Sequence, residues 1–194
     1  MEVWKHNDYR NCIGRYTLIY GEVNTGKTFY TAKFVEFLIE SGFNPKDISI
    51  LDFAPRYEEL KKLKIGGKLK DFYKNILLCN IINLKGEIIP PRLTARNKNE
   101  LQKFARQNYI KTLEAIEKFN KNHTNVLIIN DISIYLQFGN KKYLLNTIKK
   151  SQTFFGNSYF GKSIKSNYFS FFFNYKESRK VKYLIKKLDR TIKL

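Results

Sequence analysis

The stretch Gly21-Glu22-Val23-Asn24-Thr25-Gly26-Lys27-Thr28 fits the pattern G-x-x-x-x-G-K-[ST] and leaves this chain few folds to choose from. Such a turn is believable as a phosphate cradle when a strand feeds it and a helix leaves it. Both neighbours are here. Tyr16 to Tyr20 is a short β-prone run. Phe29 to Glu40 carries apolar residues at Tyr30, Phe34, Val35, Leu38 and Ile39, which predicts a helix. The chemistry dictates the residue types. Gly21 and Gly26 let the backbone curl with its N–H groups pointing inward, where a Cβ would obstruct. The following helix adds partial positive charge and unpaired donors. On this reading the eight residues Gly21 to Thr28 line the phosphates. Lys27 reaches the β- and γ-phosphates, and the Thr28 hydroxyl sits on Mg²⁺.

The rest of the chain alternates in the same way. Ile48 to Phe53 reads as a second strand with Asp52 near its C-terminal end, the edge where doubly wound sheets bind ligands. Tyr57 to Lys64 is expected to be a short helix and Asn75 to Ile82 a third, strongly apolar strand. Asn99 is the expected N-cap of a long helix reaching about Asn120. Val126-Leu127-Ile128-Ile129-Asn130-Asp131 reads as four buried-strand residues leading to an acid, Asp131. A helix over Lys141 to Lys150 and a strand over Gln152 to Gly156 follow, the latter carrying Asn157 and Ser158 to the same edge. Tyr168 to Phe173 is expected to be the last buried strand, and Glu177 to Arg190 an amphipathic helix. Met1 to Gly14 reads as polar and irregular. Alternating elements with continuous apolar strands predict a mainly parallel central sheet with helices on both faces, in one domain over residues 1–194.

Composition narrows the class. At 43% hydrophobic and 27% charged residues, the chain reads as a soluble, cytoplasmic protein. Its longest apolar runs are far too short to span a bilayer, and Met1 to Arg15 lacks the apolar core of a secretory signal. Cys12 and Cys79 lack metal-ligand spacing, and Cys79 sits in an apolar run as a buried thiol. The net charge of +19 is uneven. Met1 to Asp131 holds 22 Lys+Arg against 15 Asp+Glu, net +7, whereas Ile132 to Leu194 holds 14 against 2, net +12. A polyanion such as nucleic acid suits that last third, which is also rich in Phe and Tyr. A solvated lysine face is the plainer alternative.

Gly21 to Thr28 together with Val126 to Asp131 resemble the P-loop NTPase superfamily, and Val126-Leu127-Ile128-Ile129-Asn130-Asp131-Ile132-Ser133 looks most like its RecA-like branch. The resemblance implies a three-layer P-loop fold in which Asp131, ending a Walker B-like strand, holds Mg²⁺ with Thr28. It also implies a polar sensor on the next strand, for which Asn157 or Ser158 is placed. A catalytic carboxylate is implied as well, yet no Glu follows Asp131. Asp52 is the named substitute and Glu22 a weaker one, although Asp52 could equally cap a turn. The catalytic set expected is therefore Lys27, Asp52, Asp131 and Asn157. Arg92 or Arg96 could reach a phosphate in cis, and Arg179 or Arg190 in trans within a homo-oligomer.

The function expected is Mg²⁺-dependent hydrolysis of ATP (or GTP), with output on nucleic acid through the basic last third. A kinase for a small or nucleotide acceptor, or a non-hydrolysing switch or assembly protein, are the alternatives. Membrane attachment ranks below nucleic acid, because the apolar face of the last helix is needed to cover the sheet.

Overall fold

A computed structural model describes residues 6–60, 63–164 and 171–194, without the side chains of 6, 7, 58–60 and 63–65. Its strands are β1 (Tyr16–Gly21), β2 (Ile48–Asp52), β3 (Glu58–Leu60), β4 (Leu63–Ile65), β5 (Asn80–Ile81), β6 (Val126–Asn130), β7 (Thr153–Tyr159) and β8 (Arg190–Lys193). The helices are α1 (His6–Arg10), α2 (Lys27–Glu40), α3 (Pro91–Thr94), α4 (Lys98–Lys121), α5 (Ile132–Leu136), α6 (Lys141–Ile148) and α7 (Phe171–Ile185). Six strands make one sheet in the order β5-β2-β6-β7-β1-β8, every neighbour parallel. This is the α/β architecture expected from the alternation.

Both faces of the sheet are covered, and the pleat sorts consecutive residues between them. Leu18, Leu51, Leu127, Ile129 and Phe154 face one core, closed by Ala115, Ile116 and Phe119 of α4, Leu144 and Ile148 of α6, and Val181 and Leu184 of α7. Ile19, Ile50, Val126, Ile128 and Phe155 face the other, closed mainly by Tyr30, Phe34, Val35 and Leu38 of α2. There the Phe34 ring stacks on Phe155 at 4.3 Å between centroids. A strand buried on both sides has no polar face to alternate with, which is why β6 reads as an unbroken apolar run.

Several expected elements come out differently. Tyr57 to Lys64 contains the antiparallel pair β3–β4, with Glu58 opposite Ile65 and Leu60 opposite Leu63, where a helix was expected. Asn75 to Ile82 is mostly a 3-10 turn over Lys74–Leu78, with only Asn80–Ile81 joining the sheet. The apolar run misleads because Leu77 and Leu78 are 61% and 53% exposed. Helix α4 is capped by Asn97, whose side chain accepts from Glu100 N at 2.9 Å. Glu100 stands at the third helical position and accepts from the N–H of Arg96, the residue before the cap, at 2.8 Å. Phe171 to Phe173 begin helix α7 instead of ending a strand, and Tyr168 to Ser170 lie outside the described residues. That helix stops at Ile185, so Arg190 opens strand β8. His6–Arg10 forms a short helix within the expected irregular segment. Among the described residues no helix is long and apolar enough to cross a membrane.

Candidate functional site

The glycine loop leaves β1 and enters α2 at Lys27. Its curl needs positive φ at Asn24 (60°) and at Gly26 (82°). Gly26 is the N-cap of α2 and no side chain caps the helix, so its first-turn N–H groups stay available to a ligand. Gly21 is required by crowding, since a Cβ there would lie 2.1 Å from the carbonyl oxygen of Leu194. Lys27 is only 9% exposed and folds back over the loop, donating to the Glu22 carbonyl and to Thr25 Oγ1 at 3.2 Å. Burial pushes its ammonium down to about 8, against the opposing pull of Asp131 and Glu22. The Glu22 carboxylate accepts from Lys162 N at 2.6 Å, Ser163 N at 3.0 Å and the Ser163 hydroxyl at 2.5 Å. Burial pushes Glu22 up, but those donors and Lys27 outweigh it and leave the carboxyl below its ordinary value.

Behind the loop runs a polar relay through the sheet. Strand β7 lies between β1 and β6, which puts Asn157 beside both. Its amide nitrogen donates to Thr31 Oγ1 and to Asn130 Oδ1, each at 2.8 Å, and its oxygen accepts from Asp131 N at 3.0 Å. Thr28 donates to the same Asn130 Oδ1 at 3.3 Å. Asn130 in turn donates to Asp52 Oδ1 at 2.8 Å. Asp52 also accepts from Leu69 N at 2.8 Å and Ala54 N at 3.3 Å, with the Lys68 ammonium 3.8 Å away. Burial raises the Asp52 carboxyl despite Lys68 and these donors.

Asp131 is placed differently. It steps off the sheet in the left-handed region (φ 57°) and its Oδ1 accepts from the Ser133 hydroxyl at 2.5 Å. It lines a cavity of about 90 Å³ together with Val23 of the loop, Arg92, Ser133, Gln137 and Tyr159. A larger cleft of about 870 Å³ opens over the ends of β2 and β5, lined by Asp52, Arg56, Lys68 and Glu87 among others.

Of the expected residues, Lys27, Thr28, Asp131, Asn157 and Asp52 are thus joined around one strand edge. Ser158 is buried, and its hydroxyl donates to the Tyr159 carbonyl, outside that relay. Arg92 reaches the cavity, whereas Arg96 is exposed beside Glu100. Arg179 lies over the Tyr175 ring on α7. Arg190 pairs in register with Thr17 near the start of β1, the far end from the loop, and reaches Asp8. Sequence reasoning gave no role to Asn130, Thr31, Gln137 and Glu177. Asn130 was detectable as the one polar residue in Val126–Asn130, and Glu177 as one of two acids after Asp131.

No protein-family model matches the chain, and no curated protein matches it. Among solved structures, the flagellar accessory protein FlaH from Methanocaldococcus jannaschii is similar over 84% of this chain and 68% of that one, at 14% identity and a TM-score of 0.37. At that score the likeness bears on neither site nor activity, and the α/β assignment stands on the sheet itself.

Proposed function

We propose that this chain binds a nucleoside triphosphate with Mg²⁺ and hydrolyses its β–γ phosphate bond. The observation that carries the reading is the joining of the uncapped glycine loop, through Thr28, to the relay Asn130–Asn157–Asp131. Lys27 and the loop N–H groups, from Gly21 to Thr28, bind the phosphates. Lys27 must leave the Glu22 carbonyl to do so.

The donor set suits Mg²⁺, a hard cation that keeps waters and needs few protein oxygens beside substrate phosphates. Thr28 Oγ1 and Asn130 Oδ1 are adjacent, and Asp131 is the neighbouring carboxylate. Among the described residues no group of three or more His, Cys, Asp or Glu offers a protein-only cage. When bound, the ion neutralises charge on the β- and γ-oxygens.

Two carboxylates compete for the role of base. Asp52 has its oxygens committed to Leu69, Ala54 and Asn130, so we assign it to holding Asn130. Asp131 opens on the cavity and takes the proton of the attacking water. The water oxygen bonds to the γ-phosphorus and the bond to the bridging oxygen breaks, leaving the diphosphate and inorganic phosphate. Asn157 fixes the Asp131 backbone as this happens.

Phe171, Phe172 and Tyr175 are exposed on α7 beside Lys176 and Arg179. Aromatic faces among cations suit stacked bases and phosphates, which supports nucleic acid as the partner. The cleft at Asp52 favours a second reading, a kinase whose acceptor lies there. The deciding measurement is Mg²⁺-dependent ATP and GTP turnover with and without DNA or RNA, in the wild type and in Lys27→Ala. Turnover lost in the variant and raised by polynucleotide supports the ATPase. Binding without turnover until an acceptor is added selects the kinase.

A further inference from the structure

Glu22 is the one acid among Gly21 to Thr28, and its two ends are held by different parts of the chain. Its carbonyl accepts from the Lys27 ammonium inside the loop. Its carboxylate reaches out to the segment that follows β7. There Lys162 N, Ser163 N and the Ser163 hydroxyl converge on it at 2.6, 3.0 and 2.5 Å. Two consecutive backbone N–H groups and a hydroxyl make a receptor for one anion, and the charge strengthens each bond. Gly161 completes it, since a Cβ there would lie 2.1 Å from the carboxylate carbon. Only a glycine lets the main chain wrap the carboxylate this closely.

The two attachments of Glu22 are not independent. Lys27 and the Glu22 carboxylate attract one another, and a bound phosphate needs the same ammonium. A polyphosphate that draws Lys27 away takes the partner of the Glu22 carbonyl and sets negative charge near the carboxylate. The fastened carboxylate and a bound phosphate therefore compete for one cation. The segment after β7 is also tied onward. The Tyr159 hydroxyl accepts from Ile164 N at 3.3 Å, and its ring lies 5.1 Å from the Arg92 guanidinium. Arg92 pairs with the buried Glu177 of α7, and Gln137 hydrogen-bonds the same carboxylate. A shift of this segment thus bears on the helix that exposes Phe172, Tyr175 and Arg179.

We propose that Glu22 is a latch: with the glycine loop empty its carboxylate fastens the segment after β7, and nucleotide binding releases it. The inference rests on the nucleotide reading above and adds its regulation. The closed latch holds back nucleotide affinity, and its opening carries occupancy of the loop towards α7. Such coupling is reciprocal, so whatever opens the latch must also tighten nucleotide binding.

The test reads both sides of that coupling. Trypsin cleavage after the exposed Lys162, identified by fragment mass, reports the opening. In the wild type, Mg²⁺ with a saturating non-hydrolysable ATP or GTP analogue should speed that cleavage by about fivefold or more. Gly161→Ala should push out the carboxylate, the end of a flexible side chain, and leaves Glu22, Ser163 and the whole glycine loop in place. It should raise cleavage without nucleotide and tighten analogue binding by about fivefold or more. Glu22→Gln, which loses the charge and sets donor against donor, should shift both readings the same way. If Gly161→Ala fails to fold, the wild type and Glu22→Gln decide. A contact that only steadies the fold would raise cleavage in the variants and leave affinity unchanged. That result, or analogue bound to the wild type without faster cleavage after Lys162, overturns the latch and leaves the nucleotide reading intact. A wild type that binds neither analogue overturns the nucleotide reading and the latch with it.

Discussion

Asp52 ends β2 and Asp131 comes directly after the neighbouring β6, at the same edge of the sheet, and the difference between them lies in what has already bonded to each. Asp52 accepts two backbone N–H groups and the Asn130 amide, with Lys68 beside it. Asp131 accepts one hydroxyl, from Ser133, and faces a cavity. A carboxylate whose lone pairs are spent on the fold holds its neighbours in place. One that keeps a free oxygen beside a phosphate loop has chemistry to offer. Both lie at the same edge of the sheet, so that placement alone assigns neither role.

The sharpest way to break the comparison is Asp131→Asn. Loss of the proton acceptor should lower turnover about a hundredfold or more, while the thermal midpoint stays near that of the wild type. Asp52→Asn should invert the pattern. It turns a charge-assisted cluster into a mismatched one, worth about 2 kcal/mol, or roughly 5 °C in a chain of this size, with a smaller loss of turnover. Equal effects of the two substitutions on rate would show that the roles are not divided as described.

Asn130→Asp sharpens the same point through pH. It sets a second carboxyl against Asp52 Oδ1, which now receives the Asn130 amide at 2.8 Å. Two such groups share a proton, so the pair titrates higher in the folded than in the unfolded chain. The folded state then binds more protons, and the variant's melting temperature should rise as pH falls from about 8 to about 5. A flat profile would place the two side chains further apart. The smallest effect belongs to Lys27. Its ammonium is held at about 8 in the free protein, with burial the main cause. A neutral amine does not attract phosphate, so ATP affinity should fall up to about tenfold per pH unit above that value. Titration by calorimetry checks it.

Much of this was legible in the chain. The glycine loop, the strands at β1, β2 and β6, and the helix after the loop all rest on local patterns, period and turn chemistry, that the sequence carries intact. The failures were non-local. Leu77 and Leu78 look like core but stay exposed, because the edge of the sheet accepts only Asn80–Ile81. Nothing near Gln137 or Glu177 reveals that both converge with Arg92, since 40 residues separate the first two and α3 lies far upstream. The pairing of Thr28 with Asn130 instead of Asp131 depends on a single backbone turn that composition does not encode.

That turn also limits which replacements the protein tolerates. At Asp131 the backbone is left-handed (φ 57°, ψ 67°), a region that glycine, asparagine and aspartate enter at little cost and longer side chains resist. Glutamate, which would preserve the acid, is therefore opposed by the main chain, whereas asparagine, which abolishes it, fits. A library of variants at this position sorted for folding alone would enrich Gly and Asn and discard Glu. Aspartate is the one residue that satisfies both the geometry and a need for negative charge.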